Sequence, residues 1–153
     1  MSKTISTRLP TTYLKRQRAY VVNALRQLGA DEYNMLLPET HYLPQLLEDG
    51  EVLLGAVFGK YTKDMGAHKG RGLLVITDRR VLFIDKKPLF LHFDDIKLDM
   101  VSGIDYGKIG LSETITLHTR VDDIWIRTFN DACARKFVRA VEDVLFHTQG
   151  EPE

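Results

Sequence analysis

The stretch GRGLLVITDRRVLFID, residues 70–85, decides the fold. Two very apolar runs, residues 73–76 and 81–84, flank the turn Thr77-Asp78-Arg79-Arg80. Each run has the length of a strand, and a connection this short makes a hairpin. Outward from it the same pattern repeats: EVLLGAVFGKY, GLLVIT, VLFID, LFLHFD, VSGIDYG, ETITLHT and DIWIRTF are seven candidate strands within residues 51–129,. Ile115 and Leu117 alternate with Thr114, Thr116 and His118. Ile124 and Ile126 alternate in the same way with Trp125 and Arg127, so each of these strands turns one face inward,. Short links such as Lys86-Lys87-Pro88 join the strands into an antiparallel meander,.

On either side of the strands the period is helical. Over residues 12–28, Leu14, Val21, Leu25 and Leu28 recur at helical spacing and Gly29 stands where a C-cap glycine belongs,. A short second helix is expected over residues 31–37, stopped by Pro38, and a third over residues 42–48,. After the strands, Asn130 is an N-cap for a helix carrying Cys133, Phe137, Val141, Val144 and Leu145 on one face,. That stripe fits a helix plugging one open end of a barrel. Strands one and two are apolar on both faces, so their outer faces need a cover: either the first 50 residues or a second copy of the chain,. The expected division is a helical extension packed on the barrel (1–50), a seven-stranded domain with its helix (51–148) and a disordered tail (149–153).

Composition limits the function. The chain has 153 residues, 44% of them hydrophobic, enough for one core,. Its longest apolar runs fall far short of the ~20 residues a membrane span needs. The lone Cys133 cannot form an internal disulfide, which favours a reducing compartment, the cytoplasm,. Twenty-one basic residues balance 21 acidic ones, against a nucleic-acid partner,. The charge is polarised, however. Residues 1–30 carry six Lys/Arg and no acid, residues 51–87 eight basic against four acidic, and residues 88–130 four against seven.

Seven strands followed by a capping helix is the element order of the pleckstrin-homology (PH) superfold. GRGLLVITDRRVLFID resembles the second and third strands of bacterial PH-like and GRAM domains, with their Thr-x-x-Arg turn at Thr77 and Arg80. VSGIDYG resembles the fifth strand, and ITLHT and IWIRTF the sixth and seventh. The C-terminal helix lacks the tryptophan usual in eukaryotic members, and Phe137 stands in for it. The resemblance implies a mainly β fold with helices (α+β): a seven-stranded antiparallel PH-like barrel capped by a C-terminal helix, preceded by an N-terminal helical extension. It also implies a binding class without a reaction.

Three groups of residues are candidates. The first is the basic loop end, Lys60, Lys63, Lys69, Arg71, Lys86 and Lys87, where Lys60, Lys69 and Arg71 match the spacing with which lipid-binding PH domains hold inositol phosphates,. The second is the basic N-terminal helix, whose Leu14, Val21 and Leu25 stripe either docks on the barrel or a second subunit, or lies on an anionic membrane,. The third is Trp125 with Arg127, an interface pair unless the N-terminal helices cover it,. His41, His68, His92, His118 and His147 lack metal-site spacing, Cys133 falls on a buried face, and no glycine loop leads from a strand into a helix,. No catalytic residue, metal or cofactor is therefore expected. The leading reading is a non-catalytic module that engages a protein partner or self-associates. The other is a peripheral module holding anionic headgroups at the inner membrane face.

Overall fold

The computed structural model describes residues 11–149. Three helices open the chain: α1 (Thr11–Gln27), α2 (Glu32–Met35) and α3 (Pro38–Leu46). Seven strands follow: β1 (Leu53–Lys63), β2 (His68–Thr77), β3 (Arg80–Lys87), β4 (Phe90–Lys97), β5 (Val101–Ile109), β6 (Ser112–Thr119) and β7 (Asp123–Thr128). The last element is α4 (Asp131–Gln149). The tail expected from residue 149 therefore begins inside a helix, and residues 150–153 lie outside the described residues, as do residues 1–10 with Lys3 and Arg8. No helix among the described residues is long and apolar enough to cross a membrane.

All strand pairs are antiparallel, in the order β4-β3-β2-β1-β7-β6-β5. β4 and β5 are the two ends of this order, so the sheet is not closed by hydrogen bonds as a strict barrel would be. It nevertheless wraps one core. Val57, Leu74, Phe83, Ile115, Leu117 and Ile126 meet Phe137 and Val141 of α4 in a single apolar cluster. Asn130 caps α4 as its sequence suggests, its side-chain oxygen accepting from the Cys133 N–H at 3.1 Å,. Leu145 is only partly buried at the edge of the cluster.

The outer face carries a second core. Ala56, Phe58, Leu73, Val75, Leu82 and Ile84 pack against Val21, Leu25, Met35, Leu43 and Leu47. This chain's own helices are thus the cover that the doubly apolar strands require. Full burial of one such Leu or Val is worth about 1.5–3 kcal/mol, enough over several residues to hold the extension down. α1 ends where Gly29 takes φ +104°, a conformation a side chain rarely tolerates,. Asp31 and Asn34 form a reciprocal cap for α2,. Pro38 does not merely stop the preceding segment: it opens α3 at the first helical position, where its missing N–H costs nothing,.

The Thr-x-x-Arg turn has a definite task. The Thr77 hydroxyl accepts from the N–H groups of Arg79 (3.0 Å) and Arg80 (3.1 Å) and donates to Glu51 Oε2 at 2.7 Å. Arg80 donates to both Glu51 oxygens at 2.9 Å, to Asp95 at 2.8 Å and to the Leu46 carbonyl at 2.8 Å. It therefore rivets the end of α3 to the hairpin. Burial alone would push the Glu51 carboxyl up, but bonds from Arg80, the Glu48 N–H and Thr77 outweigh it and hold the group below the usual carboxylate range,.

Candidate functional site

Side chains alternate along β1, and this parity separates the expected loop-end cations. Val57 and Tyr61 point into the core, so Lys63 does too, whereas Phe58 and Lys60 point outward,. β1 runs to Lys63, two residues further than its apolar pattern suggests, so Lys63 is not a loop residue. Its side chain is 6% exposed and donates to Asp94 (3.0 Å), Asp64 (3.3 Å) and Nε2 of His92 (3.3 Å). Burial would lower the ammonium's pKa, but the Asp94 and Asp64 carboxylates more than reverse this and hold it above its ordinary value,. His68 lies 3.1 Å from Asp64 and stacks on His92 at 5.1 Å, a convergence that chain spacing conceals. Nearby, burial and then the Asp85 carboxylate, 2.6 Å away, push the Tyr61 hydroxyl's pKa up.

Lys60 and Arg71 meet a different fate. Both are exposed on the outer face, opposite one another across the β1–β2 pair. On the other side of Lys60, Arg127 is its register partner on β7. β7 approaches β1 closely here: a Cβ on Gly59 would come 2.0 Å from the Arg127 carbonyl oxygen, which only glycine permits,. Arg127 donates from Nε to Ser112 Oγ at 2.8 Å and lies 6.0 Å from the centre of the Phe129 ring.

These three cations line a groove of about 560 Å³ between the sheet, the α2–α3 segment and the start of α4. Asn130 stitches its walls together, donating to the Gly29 carbonyl at 2.8 Å and to Asn34 Oδ1 at 2.9 Å. Tyr33 and Phe129 stand on the rim, 62% and 71% exposed. Lys86 and Lys87 also line the groove, but with partners. The Lys86 ammonium sits 5.6 Å from the centre of the Tyr42 ring, and Lys87 pairs with Asp85 and donates to the Arg71 carbonyl at 3.0 Å. Glu39, itself buried, accepts from the Lys86 N–H at 2.8 Å. Lys69 is exposed at the far end of β2, outside the groove.

The expected loop-end set is thus divided. Lys60, Arg71, Lys86 and Lys87 share the groove, Lys63 is neutralised inside the sheet, and Lys69 stands apart. Arg127, read as half of an interface pair, belongs with the groove cations. Trp125 is half-buried, in register with Thr62 and Thr116, and belongs to neither apolar cluster. Val21 and Leu25 are fully buried between α1 and the sheet, and Leu14 is partly buried. Val21 and Leu25 thus pack on this chain's own sheet, the first of the alternatives open to that stripe. Tyr33 and Phe129 carried no signal in the sequence, since an isolated aromatic next to a turn reads as neither core nor site. Burial pushes the Cys133 thiol up to about 12, as expected for an inert buried cysteine,.

A family model described as a bacterial PH domain matches residues 47–143. Among solved structures, the N-terminal PH domain of Vps36 is similar at 20% identity and a TM-score of 0.51, over 69% of this chain and 86% of that one. A structure of Vav1 inhibited by an allosteric inhibitor is similar at 13% identity and a TM-score of 0.51, over 93% of this chain but only 36% of the other. At these identities the likeness establishes the fold alone. No curated protein matches the chain in sequence.

Proposed function

The chain belongs to the bacterial PH domain family, and from that premise we propose that it is a non-catalytic binding module which engages a protein partner in the outer-face groove. One observation carries this reading: exposed aromatics, Tyr33 and Phe129, stand beside Lys60, Arg71 and Arg127 in a walled concavity. Aromatic and arginine side chains next to a pocket are the usual anchors of protein interfaces. The headgroup-binding reading has less support. Of its six loop-end cations, Lys63 is buried between two carboxylates and Lys87 is paired with Asp85. A cytoplasmic setting accords with the free, buried Cys133,.

The test places a photo-crosslinking phenylalanine analogue at Tyr33 or Phe129, with exposed Asp99 as control, in cells that make the protein. The expected result is one discrete adduct from the groove positions, lost when Lys60 and Arg71 are both changed to Gln. An adduct at twice the 17.5 kDa chain mass would identify the partner as a second copy. Equal crosslinking from Asp99 would sink the groove reading. Salt-sensitive sedimentation with anionic vesicles that persists in the double variant would move the function to the loop end.

A further inference from the structure

The groove's cations are in an arrangement that a sheet does not tolerate for free. Arg127, Lys60 and Arg71 are direct register partners across β7, β1 and β2. Neighbouring strands lie about 4.8 Å apart, so the backbone positions of these three cationic residues span about 10 Å. Directly opposed like charges destabilise a sheet. Two other cations of this sheet are answered by carboxylates. Lys108 opposes Glu113 at 3.4 Å, and Arg80, although opposite Lys97, is tied to Glu51 and Asp95. Among the described residues no carboxylate forms an ion pair with Lys60, Arg71 or Arg127. Among the described residues, the two carboxylates lining the groove are engaged: Asp31 caps α2, and Glu39 accepts from the Lys86 N–H and lies 3.7 Å from Lys87 Nζ.

We infer that this row is a charge left open for the partner, and that the partner is an acidic peptide segment with an aromatic or aliphatic residue beside its carboxylates. The segment's acids are the missing counter-ions of Lys60 and Arg71. Its apolar residue meets Phe129, beside Arg127, and Tyr33 on the rim of the same groove. The inference rests on the groove reading above and adds the ligand's chemistry and an energetic consequence. The residues that bind also destabilise the free protein, so the ligand relieves a repulsion already present.

The experiment uses the full chain and a fluorescent decapeptide of Glu, Asp and one Phe, with a Gln/Asn version as control. Lys60→Gln and Arg71→Gln are each expected to weaken peptide binding about threefold to tenfold. Free Lys60→Gln is expected to melt about 1–3 °C above the unmodified chain. The peptide should raise the melting point of the unmodified protein more than that of Lys60→Gln. If Lys60→Gln loses the peptide but melts no higher, the stored repulsion is wrong while the groove reading stands. If both variants bind the acidic peptide as well as before, the groove reading itself fails. Equal binding of the Gln/Asn peptide overturns the charge complementarity. Binding to phosphatidylglycerol vesicles with none to the peptide overturns the assignment of a protein partner.

Discussion

Lys60 and Lys63 are three residues apart on one strand and have opposite lives. Lys60 points outward into the groove, exposed and, among the described residues, with no carboxylate in ion-pair contact, while Lys63 points inward between Asp64 and Asp94 with 6% of its side chain exposed. Because strand side chains alternate, the odd spacing alone puts them on opposite faces. A buried ammonium must be neutralised where it sits, and at Lys63 the fold supplies the acids. On the outer face the helical extension covers the apolar rows but stops short of Lys60, leaving a concavity where the cations meet solvent. A charge on this sheet is therefore structural or available according to strand parity and to how far the extension reaches, and the total charge of a segment does not reveal which.

The comparison can be pressed hardest at Arg80, an outer-face cation that is fully engaged. Arg80→Ala leaves the Glu51 carboxylate, whose side chain has no exposed surface, without its partner, and should cost about 3–5 kcal/mol by urea denaturation,. A loss under 1 kcal/mol would mean that the rivet between α3 and the hairpin contributes little. Lys63→Ala comes next. Asp64 and Asp94 keep 40% and 31% of their side-chain surface, so the expected loss is smaller, about 2 kcal/mol,. His118 offers the mildest case. Hydrogen bonds to Asp105 (2.8 Å) and Asp123 (3.1 Å) hold its pKa above the ordinary value. They favour the imidazolium, so this contribution is complete below about pH 6.5, the unfolded value, and is lost as pH rises through the higher folded value. Its side chain is 35% exposed, so the melting point should fall by only about 1 °C between pH 6 and 8 on this account, and His118→Gln should remove that slope,.

Much of this architecture is legible in the chain because its signals are local. The alternation of Ile115 and Leu117 with Thr114 and Thr116 matches β6, Asn130 caps α4, and Gly29 closes α1. The need to cover strands one and two follows from their apolar faces alone, and the helices meet it. What stays hidden depends on parity and register. β1 is apolar on both sides as far as Phe58, so alternation cannot reveal that Lys63 faces inward until Tyr61 is known to be core. Arg127 joins Lys60 only through the β1–β7 pairing, between strands about 60 residues apart in the chain. Pro38 was misleading because a proline that ends one helix can equally begin the next,.

The most direct test compares Lys60→Gln with Lys63→Gln for two quantities, the urea midpoint and the affinity for the acidic peptide, under conditions where both variants are folded. A double dissociation is expected. Lys60→Gln should keep or raise the midpoint and lose most of its peptide binding, while Lys63→Gln should lower the midpoint and bind the peptide like the unmodified chain. The opposite pattern, with peptide binding lost in folded Lys63→Gln and retained in Lys60→Gln, would place the site at the loop end of the sheet and contradict the outer-face groove.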